Sequence, residues 1–227
     1  MNWFTRAITS SIGRKVIMSV TGLFLISFLF VHLSGNFLLY ADDGGKAFNE
    51  YSNFMSSAVI IRVAEIILVL GFGLHIYTSI VLTRQNRKAR GKQQYAYAKP
   101  SPGVSWFSRN MGVSGSIVLI FLVLHLQNFW YRYKFGRPGI DAWGNRDMYD
   151  LVVTTFQQEW YFSIFYLLAM VLLAFHLNHG IQSAFRTLGA NHPKYLPLIT
   201  TGGTILAVFF PLMFATFPVY FLFFHGQ

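Results

Sequence analysis

Residues 16–40 read VIMSVTGLFLISFLFVHLSGNFLLY. The stretch holds no Asp, Glu, Lys or Arg and one histidine, His32. At about 1.5 Å per helical residue it is long enough to cross roughly 30 Å of hydrocarbon with some tilt. Four more runs of the same kind follow, at about 59–83, 111–133, 160–185 and 198–224. The composition agrees: 54% of the 227 residues are hydrophobic and 11% charged, where soluble domains carry about 25% charged residues. The reading is an all-α integral membrane protein of one domain, residues 1–227, with five transmembrane helices. Pro211 and Pro218 predict a kinked fifth span. No repeat and no low-complexity tract stands out, and residues 84–110 read as a polar loop with some helix of its own.

The chain lacks cysteine, which excludes disulfides, iron–sulfur ligation and thiolate-held haem within it. The N-terminal MNWFTRAITSSIGRK shows no short apolar region with a small-residue cleavage site, so no cleaved leader is expected. A pI near 9.9 is compatible with nucleic acid, but the charges lie between spans and read instead as topology. One side carries Arg6, Arg14, Lys15, Arg84, Arg87, Lys88, Arg90, Lys92, Lys99, Arg109, Arg186 and Lys194, and no acid. The other carries six basic residues and all eight acids. By the positive-inside rule the N-terminus is cytoplasmic and the C-terminus outside.

His32, His75, His125 and His176 each lie slightly past the middle of one of the first four spans. An ionisable side chain at membrane depth is costly and marks function by default. Because successive spans run in opposite directions, His32 and His125 fall in the outer half and His75 and His176 in the inner half. Two layers of two imidazoles suit two haems, each held from both faces in a four-helix bundle. Gly35, Gly71, Gly73 and Gly180 either admit flat macrocycles or help helices pack. His179 lies three residues beyond His176, and spacing leaves both open as the ligand. His192 and His225 read as solvated or interfacial.

The segments FVHLSGN (30–36) and FHLNHG (175–180), with histidines on spans one to four of five, resemble the dihaem cytochrome b anchor of succinate dehydrogenase and fumarate reductase. The likeness is to the single-subunit anchor of menaquinone-using bacteria, and it covers essentially the whole chain. It favours His176 over His179 through the spacing to Gly180. It implies a proximal haem on His75 and His176 and a distal haem on His32 and His125, two haem b in all. It also implies a flavoprotein and an iron–sulfur subunit on the cytoplasmic face of a bacterial cytoplasmic membrane, menaquinone as substrate, and no dicarboxylate chemistry in this chain. Some fumarate reductases of this type carry an acid two positions before the fourth ligand for a proton path; Ala174 stands there. Ser19, Arg14, Lys15, Trp106 and Arg186 are candidate donors to haem propionates. Glu50, with Asn49 and Tyr51, is a candidate quinone-site acid, whereas Glu65 reads as an ion pair with Arg62 on the same helix. The alternatives are the cytochrome b anchor of a hydrogenase or formate dehydrogenase, and a haem-free transporter that relays protons through the histidines.

Overall fold

A computed structural model describes residues 2–90 and 111–226. Lys92, Lys99, Trp106 and Arg109 lie outside the described residues. Five of the described helices are long and apolar enough to cross a membrane, and the described residues contain no strand. The chain is therefore a multi-pass, all-helical membrane protein.

A short helix, α1 (Trp3–Thr9), starts from Asn2, whose Oδ1 accepts the Thr5 N–H at 2.9 Å. Ser10 then caps α2 (Ser11–Asn36), its Oγ accepting from Gly13 N at 2.9 Å. The turn is so tight that a Cβ on Gly13 would lie 2.0 Å from the Ala7 carbonyl oxygen, so only glycine fits. A 3₁₀ turn, Phe37–Tyr40, ends the first span. Helix α3 (Lys46–Ser57) follows, and then the second span, α4 (Val59–Arg90). The third span is α5 (Met111–His125), continued by a π-helical turn (Leu126–Tyr131) and the short α6 (Arg132–Phe135). Helix α7 (Met148–Gln158) leads into α8 (Trp160–Thr187), and α9 (Leu196–Phe223) closes the fold.

Three features add to the sequence reading. The stretches between spans one and two and between spans three and four contain helices α3 and α7. The second span also continues beyond Thr83 through Arg84, Arg87 and Lys88, so the beginning of the 84–110 segment is helix. Helix α9 runs unbroken through Pro211 and Pro218, both buried.

Packing in lipid cannot rest on expelling water, so it rests on close contact. The most extensive interface joins α8 and α9. There Gly203 and Ala207, one turn apart on α9, let the backbones approach: Ala207 is fully buried, and a Cβ on Gly203 would meet Ile181 Cγ2 at 2.9 Å. Helix α2 packs on both α4 and α8, and α5 packs on α8. Helix α4 leans on α2 and touches α5 only lightly, and its most apolar stretch buries none of its residues. The first four spans thus form a bundle that is loosest between α4 and α5.

Candidate functional site

The four span histidines lie at two depths of the bundle, two at each. On the side of the bundle opposite the N-terminus, the rings of His32 (α2) and His125 (α5) stand 5.7 Å apart, centre to centre, nearly perpendicular at 85°. Phe28 stacks on His32 at 5.2 Å and Phe214 approaches it at 5.5 Å. Phe121 and Phe129 flank His125 at 5.6 and 5.4 Å. These rings make the surroundings apolar and exclude water. Nearer the N-terminal side stand His75 (α4), beside Gly22 of α2, and His176 (α8), beside Gly115 of α5. All four side chains are half-buried, facing the space between helices.

Three of the four Nδ1 atoms have a partner. Thr21 Oγ1 lies 3.2 Å from His75 Nδ1, and the Tyr166 hydroxyl 3.3 Å from His125 Nδ1. Asn36, one turn after His32, places its amide nitrogen 3.3 Å from His32 Nδ1 while donating to the His32 carbonyl at 2.7 Å. His176 Nδ1 is buried with no partner. Two glycines receive ring edges: a Cβ on Gly22 would lie 3.4 Å from His75 Cε1, and one on Gly115 would lie 3.7 Å from His176 Cε1. His179 is half-buried on α8.

These residues fit haem. An axial histidine binds iron through one ring nitrogen and is oriented through the other, and here the Nδ1 atoms of His75 and His125 each lie beside a hydroxyl that can orient them. The orphaned, buried His176 Nδ1 and the light α4–α5 contact are further signs of a site built around more than packing.

The remaining candidates are spread more widely. Ser19 is buried and its hydroxyl donates to the Lys15 carbonyl at 2.9 Å. Arg14 is half-buried, while Lys15 and Arg186 are exposed at the N-terminal side. Glu50 is exposed on α3, 3.9 Å from Lys46. Glu65 pairs differently from the same-helix reading: it accepts from Lys134 Nζ at 2.6 and 2.8 Å and from Trp130 Nε1 at 2.7 Å, across to the third span. Arg62 cannot match two donors that the π-helical turn and α6 deliver together. Of the four glycines singled out by sequence, Gly35 packs on Tyr51 and Gly71 on Phe24, while Gly73 and Gly180 have no neighbour within 4 Å of a built Cβ. His192 is exposed, and His225 sits among Tyr149, Tyr220 and Phe221.

Sequence reasoning passed over Thr21, Asn36, Tyr166, Gly22 and Gly115. One signal for Thr21 is available: it precedes His32 by eleven residues, close to three full turns, and so shares its face of α2 at the depth of the other pair. Comparisons with family models, with curated proteins and with solved structures gave no match.

Proposed function

We propose that this chain is the membrane anchor and dihaem electron-transfer subunit of a succinate:quinone oxidoreductase. It passes electrons between an iron–sulfur subunit and membrane menaquinone. The observation that carries this reading is the assembly of four histidines, one from each of four spans, into two cross-helix pairs at two depths. Two haems b, each with two imidazole ligands, supply one-electron carriers at two levels of the membrane. His75 and His176 hold the proximal group and His32 and His125 the distal one. The chain's own contribution is to hold these imidazoles, orient His75 and His125 through Thr21 and Tyr166, and keep water from the distal pair with a wall of phenylalanines. Nothing in the chain handles dicarboxylates; that chemistry belongs to a flavoprotein subunit.

The basic face at the N-terminal side docks the iron–sulfur subunit, in keeping with charge complementarity. With the N-terminus cytoplasmic, the setting is a bacterial cytoplasmic membrane. Ala174 offers no carboxylate for a compensating proton path through α8.

The deciding experiment purifies the chain with whatever subunits accompany it, then measures haem per chain and the reduced-minus-oxidised spectrum. Two low-spin b-type haems with a co-purifying flavoprotein and iron–sulfur subunit are expected. One haem or none in a fully loaded preparation overturns the haem assignment. Co-purification with a hydrogenase or formate dehydrogenase catalytic subunit reassigns the complex.

A further inference from the structure

We infer that Thr21 is a positioning residue for the N-side histidine pair, its hydroxyl fixing His75 in the tautomer that carries a proton on Nδ1 and leaves Nε2 bare. The inference rests on the haem reading above. Thr21 has a single hydroxyl proton, and that proton is already committed: Oγ1 lies 2.8 Å from the Ile17 carbonyl and 3.1 Å from the Met18 carbonyl, both one turn earlier on α2. With the proton on the Ile17 carbonyl, the nearest of these acceptors, the oxygen accepts from His75 Nδ1, 3.2 Å away. Thr21 is 8% exposed, so water does not compete for the contact.

Gly22 completes the seat. Its bare backbone faces His75 Cε1, the carbon between the two ring nitrogens, with room for little more than a methyl. The edge of the ring that bears Nδ1 and Cε1 is thus held against α2. His176 shares the second half of this device, since Gly115 receives its Cε1, but not the first: its Nδ1 has no partner. Among the described residues, Thr21 is the one side chain from another helix that hydrogen-bonds an imidazole of this pair.

An Nδ1–H donated to a lone pair makes the imidazole a stronger donor through Nε2 and favours the oxidised metal. Loss of the acceptor therefore raises the midpoint potential of the N-side haem and loosens its hold. The test is a spectroelectrochemical titration of the intact complex carrying Thr21→Val, Thr21→Ser or the natural threonine. Valine matches threonine in shape, so packing is kept while the acceptor is lost. The expected result is a higher potential for the N-side haem in Thr21→Val, haem affinity at that site lower by on the order of tenfold, an unchanged C-side haem, and natural values in Thr21→Ser. Selective loss of the N-side haem in Thr21→Val, with Thr21→Ser normal, supports the same conclusion. Unchanged potentials in Thr21→Val, equal shifts of both haems, or loss of both haems would show a merely structural role and overturn the inference. A natural protein without two haems overturns the functional reading itself, and is seen before any variant is made.

Discussion

Tyr166 does for the C-side pair what Thr21 does for the other, with a different chemistry. Its hydroxyl sits 3.3 Å from His125 Nδ1, and its ring packs edge-on against Phe121, Phe129 and Phe156. At 5% exposure it is a core aromatic first. Tyr166→Phe keeps that packing and removes only the hydroxyl. The expected cost in stability is small, about 1 kcal/mol, while the spectrum and potential of the C-side haem shift and the N-side haem stays put. Thermal melting and a redox titration of the same sample check both halves, and an unchanged C-side potential refutes the role. The four span histidines were legible in the sequence because each is an ionisable group near the middle of an apolar run. Their partners were not, because Thr21 lies 54 positions from His75 and Tyr166 lies 41 from His125. A threonine or tyrosine within a span is unremarkable until the fold brings a histidine to it.

Helices α3 and α7, with the loop that precedes α7, form a latch on the side opposite the N-terminus, and its centre is Asn49. That side chain is 1% exposed and fully used: Nδ2 donates to Asp141 Oδ2 at 3.2 Å and Asp147 Oδ1 at 2.9 Å, and Oδ1 accepts from Tyr149 N at 2.8 Å. Asn49→Leu strands these partners and is expected to cost about 2 kcal/mol, read as a lower melting temperature in detergent. Partial desolvation pushes the Asp141 carboxyl up, but hydrogen bonds led by the Asn145 N–H, with Asn49, the Asn145 amide and the Trp143 N–H, outweigh it and hold it below its usual value of 3.8. A lowered folded value means the contribution is complete above about pH 4 and fades as the pH falls through the lowered value. Asp141→Asn removes that acid-side dependence; parallel melts of the two proteins between neutral and acid pH test it, and identical slopes refute it. A second element-level device is the π-helical turn after His125. In a regular helix residues four and eight positions on drift by about 40° and 80° around the axis, yet Phe129 and Tyr133 stay buried here. The wider turn holds them on the inward side while Trp130 and Lys134 reach Glu65. Lys134→Met is expected to cost on the order of 2 kcal/mol by leaving a carboxylate poorly paired in an apolar setting, and adding Glu65→Gln should recover part of it; strictly additive losses in the double mutant would refute the coupling. Neither device was visible beforehand, since a π turn has no residue signature and Lys134 lies 69 positions from Glu65.

The five-span architecture was the most legible part of the chain, because membrane thickness dictates run length and charge dictates where runs end. What length and charge do not encode is which spans touch, and that decides which histidines come together. Helix α2 contributes to both layers: Thr21 and Gly22 seat His75 in one, and His32 meets His125 in the other. Helices α4, α5 and α8 each carry one span histidine, and α9 packs on α8. If the two pairs hold two haems, the pairs must fail separately. Replacing His75 or His176 by leucine removes the same, N-side haem, with His179 the nearby imidazole that could rescue a His176 variant by rotating the site around α8. Replacing His32 or His125 removes the C-side haem. In these last two variants electrons still reach the N-side haem. Succinate oxidation with a soluble artificial acceptor should persist, because it bypasses the anchor, while reduction of menaquinone at the far side falls to background. Haem spectra and both activities of the four single mutants settle the matter: a common loss in the His32 and His75 variants, in place of the His32 and His125 variants, would mean that the pairs seen in the fold are not the pairs that carry the electrons.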